Sequence, residues 1–396
     1  MNGVVATYYF RAKSGVTPEQ AARAICEDET TGLWWDRTGR TESRELPEAS
    51  VIAIVPSQNG YIARISFPCD LFEQGNIPQY LSVLAGSSFE LDSLESIRLM
   101  DVELAEELVP FHGPKFGVTG VRHLVGVVDR PLVGFSIRPK VGLNAAETAE
   151  FVYQAAIGGA DFINDSELLT DQEVCPLDER VPEVMDCLDD AKDITGQQVL
   201  YATNITSRAD QILDRAMCAI ELGANMIMVD VMTAGFGALQ ALCEEPAIRV
   251  PVHASLCMHA VMTSNPEHGI SILPLARLTR MLGADQLHIR ARETNSGNDS
   301  AEQKGCIHAL NSPAFGLKRT LPVLCGDIPP GIVERVISFY GTDIVLQAEK
   351  GIYCHPDGIA AGVRAMRQAI DAYMAGIPAG EYATEHFELD RALKTI

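Results

Sequence analysis

From about residue 115 the chain alternates two kinds of apolar pattern. Short runs rich in β-branched and aromatic residues read as buried strands: PLVGFSI (131–137), ADFIND (160–165), QVLYATNI (198–205) and NMIMVDV (225–231). RVPVHASL (249–256), DQLHIRA (285–291), TLPVLCG (320–326) and DIVLQA (343–348) continue the series. Between them lie segments such as NAAETAEFVYQAAIGG and RADQILDRAMCAIELGA. Their apolar residues recur at three and four, the period of a helix with one buried face. Several of these end in Gly-Ala before the next strand, as in ELGANMIM and MLGADQLH. Glycine stops the helix, and a small residue follows where helix meets sheet. Eight strands alternating with helices predict an α/β fold, a (β/α)8 TIM barrel. A doubly wound sheet rarely needs eight units, and the sequence contains no GxGxxG.

Residues 1–112 show a different pattern. VVATYYFRA, YIARISFP and SIRLMDVEL read as strands. TPEQAARAICED and NIPQYLSVLAG read as helices, the first with Thr17 as N-cap and Pro18 at its first position. The expectation is an α+β module of ferredoxin-like type over 1–112 and a barrel domain over 113–396. VPFHGPKFG (109–117) is the linker, marked by its Pro and Gly. The C-terminal GEYATEHFELDRALKTI reads as a polar tail.

Composition narrows the class. The 396 residues are 47% hydrophobic and include no long apolar run. That predicts a globular protein with a large core and no transmembrane helix. The N-terminus lacks a signal-peptide layout. The ten cysteines are scattered without a CxxC pair, so reduced thiols in a cytoplasmic protein are expected, not a disulfide framework or a zinc site. A formal net charge of −22 disfavours nucleic acid and anionic membranes as partners. A small anionic substrate then needs a local positive pocket.

In a barrel of this kind the chemistry sits at the C-terminal ends of the strands. Those ends read Arg138-Pro139-Lys140, Asn164 to Glu167, Asn204, Asp230 and Ser255. His288-Ile289-Arg290, Cys325-Gly326-Asp327 and Glu349-Lys350-Gly351 complete the ring. Several of these ends belong to longer motifs. RPLVGFSIRPKVGL, GGADFINDSE, HASLCMHAVMT, GADQLHIRA, LPVLCGDI and VLQAEKGIYCHPDG, with ATYYF and ETTGLW near the front, resemble the large subunit of ribulose-bisphosphate carboxylase in order and spacing. The resemblance runs nearly end to end. It implies an α+β N-terminal domain, a (β/α)8 barrel and a homodimer whose active site is completed by a neighbour's N-terminal domain. On that basis Thr31, Trp34 and Ser87 reach a partner's barrel.

The departures from the family pattern are as informative as the matches. Carboxylating members read Lys-Asp-Asp-Glu after strand two, where a carbamylated lysine, the second Asp and the Glu hold Mg2+. Here the lysine position is Asn164, the second Asp is Ser166, and Glu167 remains. An amide cannot be carbamylated and a hydroxyl is a poor ligand for a hard cation, so Mg2+ is disfavoured and no cofactor is assigned. Asp165 is expected to cap the loop. The strand-one lysine is Arg138, which binds anions but is a poor proton shuttle. Lys140 is retained, either as a proton carrier or in an ion pair with Glu167. The strand-five His-Arg pair is Ser255-Leu256, and His288 matches a retained histidine. The strand-seven serine is Cys325, followed by Gly326. The strand-eight glycine pair is Glu349-Lys350, ahead of Gly351. The loop-six lysine has no counterpart before Lys304.

These residues lead to the expectation of a non-carboxylating, RuBisCO-like enzyme of enolase or isomerase type acting on a small anionic keto-sugar. Lys140, Glu167, His288 and Asn164 are its candidate catalytic residues. Arg138, Arg290, Ser255, Cys325, Gly326, Lys350 and Gly351 are its candidate binding residues, together with Thr31, Trp34 and Ser87. The alternatives are a decarboxylase of a 3-keto sugar acid, an inactive binding or regulatory protein and, disfavoured, a ribulose-bisphosphate carboxylase.

Overall fold

The computed structural model describes residues 3–30, 48–291 and 297–395. They form two compact units, Met1–Phe111 with Met258–Met281, and His112–Cys257 with Leu282–Ile396. In the first unit β1 (Gly3–Ala12), β2 (Ser50–Ser57), β3 (Gly60–Pro68) and β4 (Leu94–Glu103) build an antiparallel sheet. β1 lies between β3 and β4, with Val4, Tyr8 and Phe10 fully buried. The helix Pro18–Asp28 starts as its sequence predicts. Thr17 accepts from the Gln20 backbone, and the Gln20 side chain accepts from the Thr17 backbone.

Two features of this unit were not predicted. β2 is an edge strand, mostly exposed and containing Pro56, so its sequence lacks the buried alternation that marks a strand. The segment 258–281, far away in sequence, adds a two-residue strand, Gly269–Ile270 (β10 in chain order), parallel to β4. Buried Arg98 of β4 holds this segment by donating to Thr263 O at 3.2 Å and to Asn265 O.

The second unit is a closed parallel barrel. Its strands are β5 (Leu132–Ser136), β6 (Phe162–Asn164), β7 (Leu200–Asn204), β8 (Met226–Asp230) and β9 (Val252–Ser255), then β11 (Gln286–Arg290), β12 (Leu321–Gly326) and β13 (Val345–Ala348). Each falls inside an apolar run read from the sequence. Gly223 and Gly283, which end helices ahead of β8 and β11, have φ of 104° and 112°. Only glycine adopts that backbone freely.

The barrel interior is layered. Leu132, Phe162, Leu200, Met226, Leu321 and Val345 pack on Val118, Val121 and Val125 of the helix Gly117–Val125, which plugs the end opposite the mouth. Asp285 ties that plug to the barrel, accepting from the Phe116 and Gly117 backbones at 2.7 Å each and from Val252 at 2.9 Å. Above the apolar layer the inward positions become polar, with Asn164, His253, Gln286 and Gln347 all buried.

The C-terminal segment departs from its reading as a polar tail. Residues Phe387–Thr395 form a helix whose Leu389 and Ala392 are buried. The apolar residues there are sparse but share one helical face. No described helix is long and apolar enough to cross a membrane.

Candidate active site

Strand order sets which side chains meet. β5 lies between β13 and β6, so the segment after β5 can pair with residues on both sides. Arg138 does so toward β13, placing Nη2 2.5 Å from Glu349 Oε1. Its backbone N–H donates to the Tyr353 hydroxyl at 2.7 Å, and that hydroxyl donates to Ser136 O at 3.0 Å. Lys140 does so toward β6, in a direct ion pair with Glu167. This is the pairing weighed in the sequence against a proton-carrying role, and it occupies Lys140 here. Burial alone would lift the Glu167 carboxyl. The Lys140 hydrogen bond, its own backbone and the Lys140 and Arg138 charges outweigh that and hold it below the usual carboxylate range.

The residues ahead of Glu167 are buried. Asn164 donates to Asp165 O at 2.6 Å and accepts from Gln347 Nε2 at 2.8 Å. Asp165 is fully buried. It accepts from the Tyr201 hydroxyl, from the Asn204 backbone at 2.9 Å and lies 3.3 Å from the guanidinium of Arg180. Burial pushes its carboxyl up, against the Arg180 charge and these hydrogen bonds. The Ser166 hydroxyl accepts from the Leu168 backbone at 3.2 Å. Asn164 thereby links β6 to β13.

Further round the mouth, Asp230 caps the turn after β8 by accepting from Met232 N at 3.3 Å. Burial lifts its carboxyl from 3.8 to about 6, opposed by hydrogen bonds from Thr233, Met232 and Cys257 and reinforced by the Glu167 charge. Ser255 is buried opposite Asp230 in register. His288 sits one inward position below Arg290 on β11, its ring 6.0 Å from that of His253. Arg290 is exposed and pairs in register with Cys325. Burial, then the Glu349 charge, pushes the Cys325 thiol up to about 12, so it is not a ready nucleophile.

Gly326 ends β12, and Lys350 is exposed on the short helix Glu349–Tyr353. A Cβ on Gly351 would lie 2.5 Å from Ile328 O. Its role is close packing of that helix on the loop after β12. Ser87 opens a 3-10 turn in the first unit, and Thr31 and Trp34 lie outside the described residues.

Some of these partners have no motif. Tyr201, Gln347 and Tyr353 become site neighbours only through the barrel's curvature. Arg180 had a detectable signal. It lies on the buried stripe Leu177, Arg180, Val181, Val184, Leu188, where a charge needs a partner.

The donor set does not fit the carbamate-bound Mg2+ that the family resemblance implies. Asn164 and Ser166 offer no anionic oxygen, both Asp165 oxygens are taken, and Glu167 is neutralised by Lys140. No group of metal-ligating side chains is found among the described residues.

Family models describe residues 117–396 as the catalytic domain, and 1–108 as the N-terminal domain, of the ribulose bisphosphate carboxylase large chain. This chain belongs to that family. It is 34% identical to a ribulose bisphosphate carboxylase of Methanosarcina mazei, over 98% of this chain and 95% of the relative. With one of Pyrococcus furiosus it shares 36%, over 98% and 93%. An octameric RuBisCO of Pyrococcus horikoshii, solved with sulfate, matches with a TM-score of 0.91 at 34% identity, over 99% of this chain and 93% of the other. A dimeric archaeal RuBisCO of Hyperthermus butylicus gives 0.89 at 30%, over 99% and 95%.

These relatives overturn the expectation of a non-carboxylating isomerase, lyase or inactive binder. Along the whole chain its kin are named carboxylases, whereas the expectation rested on a handful of substituted mouth residues.

Proposed function

We propose that this chain acts on ribulose bisphosphate, the substrate in its relatives' names, and serves its carboxylation at the barrel mouth. The observation behind this reading is the kinship, 34% and 36% identity over 98% of the chain with proteins of that name. The mouth supports the substrate class. Arg138, Lys140, Arg290 and Lys350 gather at strand ends, local cations in a chain of net charge −22.

In this reading Arg138, Arg290 and Lys350 hold the phosphates, and Gly326 and Gly351 let the chain pass close by. Glu167, paired with Lys140, moves the proton that must leave the sugar before a new carbon bond forms. Fixed cations then stabilise the negative oxygen that develops beside it. Ser255, Cys325 and His288 line the remaining wall. The chain works as a homo-oligomer, at least a dimer, with Ser87 of one copy completing a neighbour's mouth.

The test is incorporation of labelled bicarbonate. Acid-stable label should depend on ribulose bisphosphate and fall by about a hundredfold or more in Lys140→Met. Bound ribulose bisphosphate with no label at all would remove carboxylation from the reading.

A further inference from the structure

We infer that the Lys140 ammonium is a built-in cation on Glu167, standing where a divalent metal would bind, so that the mouth takes a phosphate-bearing anion without metal. The choice of ribulose bisphosphate as one probe rests on the function proposed above; the metal independence rests on the side chains alone.

Among the described residues, the side-chain oxygens of Asn164, Asp165, Ser166 and Asp230 are hydrogen-bonded elsewhere. Asp165 is locked by Tyr201, Asn204 and Arg180. The Asn164 carbonyl accepts from Gln347 and the Ser166 hydroxyl from Leu168. Asp230 accepts from Met232, Thr233 and Cys257. Mg2+ keeps near-octahedral oxygen ligation and gives up water reluctantly. One carboxylate already paired with an ammonium cannot supply that, and an entering Mg2+ would meet Lys140 as a like charge.

The same arrangement suits an anion. An ammonium has three donors, and Glu167 takes one. The Lys140 side chain is 43% exposed, so its other donors can reach a ligand. Arg138, two residues away, pairs with Glu349 through Nη2 and donates from Nη1 to Ser136 Oγ and Ile137 O at 3.2 Å each. A phosphate entering here gains charge-assisted bonds from the Lys140 donors that Glu167 leaves, while Glu167 and Glu349 balance the Lys140 and Arg138 charges.

Two measurements on the intact protein test this. Calorimetric titration with inorganic phosphate and with ribulose bisphosphate is run in EDTA and in excess Mg2+. Electron paramagnetic resonance of added Mn2+ then reports any protein-bound metal directly. The expected result is a Kd unchanged within about threefold between the two conditions, with Mn2+ remaining free. Lys140→Met should weaken binding by about tenfold or more, and Lys140→Arg should restore most of it. Circular dichroism confirms that both variants are folded. Binding that needs Mg2+, stoichiometric bound Mn2+, or no binding of either probe would overturn the inference. Phosphate bound without ribulose bisphosphate would leave the inference standing and remove the proposed substrate. Ribulose bisphosphate bound only with Mg2+ would do the reverse.

Discussion

Asp165 is an acid whose charge is spent wholly inside the protein. Its partner Arg180 is fully buried and also donates to Cys175 O and Thr170 O, at 2.7 Å each. One guanidinium thus organises the loop after β6 that carries Glu167. Removing it leaves a buried carboxylate unpaired, so Arg180→Met should cost about 3–5 kcal/mol in urea unfolding. A loss under about 1 kcal/mol would show that Tyr201 and Asn204 suffice. Asp230 makes a different prediction. Its carboxyl is raised from 3.8 to about 6. Across that window the folded chain keeps a proton that the unfolded chain has released. This group's contribution is most favourable below the lower value, falls as pH rises through the window and is flat above it. Asp230→Asn should therefore gain melting temperature relative to the parent as pH rises through the window. Parallel curves for the two proteins would refute the shift.

At the scale of elements, the segment after β13 shows how packing decides what a loop can offer. The five-residue helix Glu349–Tyr353 turns Glu349 toward Arg138, sends the Tyr353 hydroxyl to β5 and seats Gly351 on Ile328 O. Gly351→Ala forces a backbone shift there and should destabilise by about 1–3 kcal/mol, visible as a lower urea midpoint at unchanged slope. An unchanged midpoint would mean the helix moves away at no cost. The element-level reading of the sequence held where burial made the pattern strong, as in the barrel strands. It failed at exposed β2 and at the sparse final helix, where little of the strand or helix is buried.

For the whole molecule, the relatives with solved structures include an octamer and a dimer. Light scattering on the purified chain should give a mass of two protomers or a multiple of it. A monomer at micromolar concentration would separate this chain from those relatives and leave its mouth without a neighbour's contribution.

The sequence alone determined the barrel, the α+β module and the family. Apolar periodicity is a local property repeated many times, and the motifs at strand ends keep their order along the chain. It also named the residues that reach the mouth, because a strand's C-terminal end is fixed once the strand is known. Only the tertiary structure decided how those residues spend their charges. Lys140 meets Glu167 and Arg138 meets Glu349 because β5 lies between β6 and β13, a neighbourhood set by barrel closure. Arg180 reaches Asp165 because a helix face folds back beneath its own loop. Such pairings depend on distances in space, which no residue spacing along the chain encodes.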